Sequence, residues 1–176
     1  MESIPWLVKE AVEFIEKNIK TSDTVFEYGS GGSTLWFAQR AQSVISVEHN
    51  KEWYQRLKVK IPDNVTLHFI AADSDAQRGY ESSNKQTFKA YTTFIDRLKC
   101  FDWILIDGRA RIACMLHAVS KFKRFLILDD TYRVEYQNAI KKMRSYDCKI
   151  FQGKFADGKG KEGETRIWSY IPEQQI

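Results

Sequence analysis

Glu27 stands two residues before Gly29 in the run Val25-Phe26-Glu27-Tyr28-Gly29-Ser30-Gly31-Gly32-Ser33-Thr34, where an apolar strand breaks into a glycine turn that opens a helix. Glycines let the backbone turn sharply and approach a ligand closely, and the free N–H groups of the following helix face the same space. Together these features describe a loop for a nucleotide cofactor. Dinucleotide enzymes set a pyrophosphate on such a helix end, with the spacing G-x-G-x-x-G or A. Here the last position is Thr34. A carboxylate beside the turn repels pyrophosphate and favours a cofactor that carries an ammonium group. Twenty-one residues beyond Glu27, the run Ser43-Val44-Ile45-Ser46-Val47-Glu48 reads as a buried strand ending in an acid. A carboxylate at that place can take both hydroxyls of a ribose, with His49 beside it.

The pattern E-x-G-x-G-x-S resembles the first motif of class I S-adenosylmethionine-dependent methyltransferases. The resemblance implies that Glu27, Gly29, Ser30, Gly31, Ser33 and Thr34 surround the cofactor and that Glu48 and His49 meet its nucleoside. It also implies that Asp73, at the end of a third strand over 65–72, bonds the adenine amino group, and that Asp107 borders the cofactor. Two β-rich runs, Cys148 to Phe155 and Glu164 to Ile171, flank the turn Asp157-Gly158-Lys159-Gly160 and resemble the last two strands of that family. The implied fold is Rossmann-like α/β: a seven-stranded, mostly parallel sheet with an antiparallel last strand, helices on both faces, and one domain over residues 1–176. An NAD-linked oxidoreductase module and a catalytically silent nucleotide-binding subunit are the competing readings. Glu27, Ser33-Thr34 and the terminal hairpin count against the first, and the intact strand-end acids against the second.

Five strand ends carry an acid: Glu27, Glu48, Asp73, Asp107 and the pair Asp129-Asp130. Asp107, Asp129 and Asp130 follow neighbouring strands and could converge on a hard cation, Mg²⁺ or Ca²⁺. In this respect the chain resembles metal-dependent O-methyltransferases of catechol and macrocin type. That resemblance makes the three aspartates the catalytic metal ligands, with Mg²⁺ lowering the pKa of a substrate hydroxyl. Arg109 is a departure, because some sugar enzymes of this kind carry a further acid there. Arg109 and Arg111 leave the fourth strand, and Tyr132 and Arg133 the fifth, toward one rim. Guanidinium forks suit carboxylate or phosphate. The expectation is therefore O-methylation of a small hydroxylated acceptor with an anionic group, held between this rim and a mobile loop over Ser74–Lys85. The site would be open or completed by a second copy of the chain. Pairing of these arginines with Glu135 or with the strand-end acids is the competing reading.

The chain has 176 residues, 43% hydrophobic and 28% charged, enough for one core and little for a second. No apolar run approaches the ~20 residues that span a bilayer. The N-terminal segment lacks a basic stretch followed by an apolar one, and three cysteines without C-x-x-C spacing favour reduced thiols, so a cytoplasmic location without a membrane partner is expected. The net charge of +4 and the cluster Lys121, Lys123, Arg124, Lys141, Lys142 and Arg144 raise a nucleic-acid acceptor. Against base methylation, the fourth strand ends Ile106-Asp107-Gly108 and not in N/D-P-P-Y/F.

The elements that must position these residues alternate along the chain. Leu7, Ala11, Val12, Ile15 and Ile19 fall on one helical stripe. Strands follow at 24–28, 43–48, 65–72, 101–106 and 124–128. Asn50 caps a helix that presents Trp53, Tyr54 and Leu57, and helices carrying Phe88 to Leu98, Ile112 to Val119 and Val134 to Arg144 fill the remaining crossovers. Alternating helix and strand predicts a parallel sheet with helices on both faces.

Overall fold

In the computed structural model, residues 3–75, 78–81 and 86–170 are described; the loop expected over Ser74–Lys85 falls partly outside them. Seven strands form one sheet in the order β3-β2-β1-β4-β5-β7-β6: β1 Thr24–Tyr28, β2 Ser43–Glu48, β3 Val65–Phe69, β4 Phe101–Ile106, β5 Phe122–Asp129, β6 Asp147–Lys154 and β7 Glu162–Ser169. The first five pair in parallel. β7 is inserted antiparallel between β5 and β6. The sequence order of the sheet reverses at β1 and β4, and at that point the crossovers leave in opposite directions and open a crevice at the carboxyl ends of the strands.

Two layers of side chains, one on each face, hold the sheet. Residues alternate in direction along a strand. Val25, Trp103, Leu105, Ile127 and Ile167 therefore face α1 (Lys9–Asn18) and α2 (Gly32–Ala38), where they meet Leu7, Ala11, Ile15 and Phe37. Phe26, Tyr28, Ile104, Ile106 and Leu126 face the opposite way. There they pack on Tyr91, Phe94, Cys114, Met115 and Ile140 from α4 (Lys89–Thr92), the 3-10 stretch that follows it, α5 (Arg111–Ala118) and α6 (Gln137–Ile140). By this alternation Glu27 belongs to the first face, between two apolar neighbours.

Several elements are shorter than their patterns suggest. β3 ends at Phe69 and not at Ala72, and the helix expected over 88–98 is one α-turn followed by a 3-10 stretch, Thr93–Arg97. The last crossover is likewise a chain of short turns over 134–143. α3 (Lys51–Lys58) starts as expected, the Asn50 side chain accepting the Trp53 N–H at 2.9 Å, but only Leu57 of its apolar residues is buried. Among the described residues no helix is long and apolar enough to cross a membrane.

Candidate functional site

The loops after β1 and β4 touch backbone to backbone at the crevice. Gly29 has φ of +90°, a left-handed conformation that favours glycine. A Cβ there would come within 2.7 Å of the Gly108 Cα, and one on Gly108 within 3.0 Å of the Gly29 nitrogen. Only two glycines allow this approach. The ladder continues past the strand ends to fix it, Gly29 donating to the Val47 carbonyl and Asp107 to the Tyr28 carbonyl, each at 3.0 Å.

Beside this contact lies a cleft of about 1160 Å³, lined by Gly29 to Ser33, by Glu48, His49 and Asn50, and by Asp107, Gly108 and Arg109. Its far wall is built from Trp6, Trp53, Arg56, Lys60 and Lys159. Glu48 is its most organised acid. One carboxylate oxygen accepts the Ser30 N–H and hydroxyl at 3.0 and 2.9 Å, and the other the N–H groups of His49 and Asn50 at 2.9 and 2.8 Å. Burial alone would raise its pKa, but donors from His49, Asn50 and Ser30 outweigh that and hold it below the ordinary value. His49 Nδ1 lies 3.0 Å from Glu48 Oε1, within ion-pair range once protonated, yet it makes no well-aligned hydrogen bond and has no other partner.

Glu27 does not reach the cleft. It is fully buried and accepts hydrogen bonds from the hydroxyls of Ser33, Thr34 (2.5 Å) and Ser46 (2.8 Å). Thr34, equally buried, accepts the Gly31 N–H at 2.9 Å. The expected contact of Glu27 with an ammonium group, and of Thr34 with the cofactor, is therefore corrected: both are buried and shape the loop from behind. Burial pushes the Glu27 carboxyl up to about 7 against the pull of the three hydroxyls. Asp73 is corrected too. Its carboxylate caps α4, accepting the N–H of Lys89 at 2.5 Å and of Ala90 at 3.3 Å, and it is not among the residues of the cleft.

The three aspartates do converge, but on Arg111. Its guanidinium lies 2.7 Å from Asp107, 3.3 Å from Asp130 and 3.7 Å from Asp129, with 11% of the side chain exposed. It also donates to the carbonyls of Gly108, Asp129 and Asp107 at 3.1, 2.8 and 3.0 Å. Three of its N–H groups are thus hydrogen-bonded to carbonyls, and the carboxylates surround its charge as ion pairs. Asp129 further accepts the Thr165 hydroxyl at 2.7 Å, and Asp130 is paired with Arg133 at 2.5 Å. Two non-glycine residues adopt left-handed backbone here, Ala110 (φ 48°) and Asp130 (φ 57°), on the two loops that close on Arg111. Such positions cost of order 1–3 kcal/mol and persist where surroundings over-determine them.

The space between the carboxylates is therefore filled by a fixed cation, and the residues do not fit Mg²⁺. Among the described residues no cluster of acidic, histidine or cysteine side chains is arranged to hold a metal. Arg111 is corrected with it: it borders the cleft, but its charge is shared among three carboxylates and three of its N–H groups are tied to carbonyls, so it serves as a clamp inside the site. Asp129 is 3% exposed, and of the three acids only Asp107 borders the cleft. Removal from water raises both Asp107 and Asp129 despite Arg111. Tyr132 is 56% exposed and lines neither this cleft nor the smaller pocket of about 260 Å³ that Arg109, Arg133 and Tyr136 border.

Sequence reasoning placed Gly29, Ser30, Gly31, Ser33, Glu48, His49, Asp107, Arg109 and Arg111 at the site, and the structure brings them together in the cleft. It missed Gly108 and the far wall. Trp53 reads as helix core by its spacing, yet its indole donates to the Ser30 carbonyl at 2.6 Å and lies over the loop at Gly31. The basic cluster is divided: Lys121 donates to the carbonyls of Asp96 and Leu98, and Lys123 and Arg124 pair with Asp102 and Asp23.

No protein-family model and no curated protein sequence matches the chain. Solved structures do. Precorrin 8w decarboxylase from Methanobacterium thermoautotrophicum aligns with a TM-score of 0.62 and 16% identity over 97% of this chain and 96% of that one. A putative methyltransferase from Streptococcus mutans, solved with S-adenosylhomocysteine, aligns at 0.61 and 8% identity over 92% and 96%. An rRNA methylase from Streptococcus thermophilus aligns at 0.61 and 10% identity over 92% and 95%. The fold is the Rossmann-like fold of class I methyltransferases, and at these identities the likeness speaks for the fold alone.

Proposed function

We propose that the chain is an S-adenosylmethionine-dependent methyltransferase acting on a hydroxyl of a small acceptor. The observation that carries this reading is the place of Glu48 beside the close contact of Gly29 and Gly108: its carboxylate, held by Ser30, His49 and Asn50, borders the cleft next to the glycine loop. A carboxylate so placed takes the ribose hydroxyls of a nucleoside cofactor, and a structure of the same fold was solved with S-adenosylhomocysteine. The residues present fit such a group: Glu48 and Ser30 would hold the ribose hydroxyls, with His49 Nδ1 as a further polar partner, and Gly29 and Gly31 would allow its close approach. When bound, S-adenosylmethionine supplies an electrophilic methyl group, which passes to the acceptor oxygen while the sulfur keeps the bonding pair.

The work left to the chain is positioning and one proton transfer. Asp107 is the carboxylate that borders both the glycine contact and the cleft, and Arg111 holds its orientation. Its raised pKa makes it a stronger base than an ordinary aspartate, suited to take the acceptor's hydroxyl proton. Arg111, Asp129 and Asp130 act as positioning residues. The test is transfer of labelled methyl from S-adenosylmethionine to a panel of hydroxylated small molecules, with wild type and Asp107→Asn. The reading expects a labelled product and a loss of about 10²–10⁴ in rate in the variant at unchanged cofactor affinity. Equal turnover by the variant would remove Asp107 from the chemistry.

A further inference from the structure

The cleft is larger than its cofactor half requires. Ligand pockets commonly measure ~300–1,000 Å³, and this one, at about 1160 Å³, has room for a second molecule alongside the first. The part beyond Glu48 and the glycine loop is walled by groups of one chemical character. Trp6, from the segment before α1, and Trp53, from α3, stand with ring centroids 6.2 Å apart and planes at 56°. Lys159, at the tip of the β6–β7 hairpin, lies 4.9 Å over the Trp6 ring. Arg56 projects from the next turn of α3, Lys60 from the turn just past its end, and Arg109 closes the wall from the loop after β4.

Trp36, Trp103 and Trp168 are buried at 6% exposure or less, whereas Trp6 and Val59, both lining the cleft, are 54% and 82% exposed. An exposed apolar patch rimmed by polar groups marks a binding surface. The cations there are largely uncommitted. Lys159 shares Asp157 at 3.5 Å, while Arg56, Lys60 and Arg109 have no acidic side chain within ion-pair distance among the described residues. Of the acids on the cleft, Glu48 and Asp107 are already engaged, leaving Glu52 alone against four cations.

Resting on the methyltransferase reading, we propose that this wall is the acceptor subsite and that the acceptor is a small molecule with a planar ring and an anionic group, a carboxylate or a phosphate. The ring lies against Trp6 and Trp53, whose faces offer large rigid contact area, and the anion faces Arg56, Lys60 and Lys159. Recognition therefore falls on this wall, while the acceptor hydroxyl extends to Asp107, which lines the same cleft. Three elements distant in sequence make it: the N-terminal segment, α3 and the hairpin tip.

Calorimetry tests this in two stages. The protein is first titrated with S-adenosylhomocysteine; failure to bind would overturn the cofactor reading before any acceptor probe is added. The loaded protein is then titrated with para-hydroxybenzoate and uridine monophosphate, with their neutral counterparts para-hydroxybenzamide and uridine, and with a single-stranded oligoribonucleotide. At least one anion should bind about tenfold or more tightly than its neutral counterpart, and which one it is separates carboxylate from phosphate. Trp6→Ala and the pair Arg56→Ala with Lys60→Ala should each weaken that anion about tenfold and leave S-adenosylhomocysteine binding and the melting temperature near wild type. Equal binding of neutral and charged probes, binding of neither anion, or anion affinity unchanged in the variants would overturn the subsite. Preference for the oligoribonucleotide, growing with its length, would overturn a small acceptor in favour of a strand.

Discussion

Arg111 lies 2.7 Å from Asp107, four residues before it, and the same guanidinium also reaches Asp129 and Asp130 and three backbone carbonyls. The ends of β4 and β5 are tied through one side chain. Removing it strands Asp107 and Asp129 close together, with Asp130 still held by Arg133, and takes a donor from three carbonyls. Arg111→Ala should therefore destabilise the protein by about 3–5 kcal/mol in denaturant unfolding. Arg111→Lys should recover only part, because an ammonium keeps the charge but cannot span the fork of acceptors. A loss under about 1 kcal/mol for the alanine variant would mean the carboxylates have another source of neutralisation.

Glu27 gives a pH signature. Its carboxyl is pushed from 4.5 up to about 7 in the fold, so between these values the native state holds a proton that the unfolded chain has released. Stability must then fall as pH rises through this window, by up to about 1.4 kcal/mol per pH unit and of order 3 kcal/mol in all. Glu27→Gln cannot ionise and should gain on wild type over the same range, the difference levelling off above pH 7. Thermal melts at a series of pH values check it, and a flat difference would show that Glu27 ionises in the fold as it does in water.

The glycine contact makes a prediction about three residues. A Cβ on Gly108 would fall 2.1 Å from the Tyr91 hydroxyl, a buried group with no hydrogen-bond partner among the described residues. Gly108→Ala should cost about 1–3 kcal/mol by overpacking and widen the approach to Gly29. Tyr91→Phe removes the first atom in the way and leaves no donor behind, so it should be neutral or stabilising alone and recover part of the Gly108→Ala loss. A double-mutant cycle in unfolding free energy measures that coupling; strict additivity would contradict the geometry.

The strands were legible because apolar runs ending in acids leave little choice of register, and Glu48 and the glycine loop were legible because their spacing is a local property of one strand-turn-helix unit. Other features depend on distance in space. Asp107, Asp129 and Asp130 look like metal ligands by type, and nothing local says that Arg111 turns back to fill the gap between them. Asp73 looks like a cofactor acid until the short α4 it caps is in place. Glu27 sits at the right residue of a cofactor motif, but strand alternation turns it into the sheet face. Trp6, Trp53 and Lys159 are far apart in the chain, and Trp53 repeats with Leu57 at helical spacing, so the wall they form has no local signal.

The central claim is that the cleft holds S-adenosylmethionine, and calorimetry of its product tests it most directly. S-adenosylhomocysteine should bind at one site and stabilise the protein, by ~2.7 kcal/mol at a hundred times its Kd, while NAD and NADP give no heat. Glu48→Gln, which keeps the shape but loses the charge that Ser30, His49 and Asn50 surround, should weaken that binding about tenfold or more. Binding of NAD in preference to S-adenosylhomocysteine, or binding indifferent to Glu48, would contradict the account.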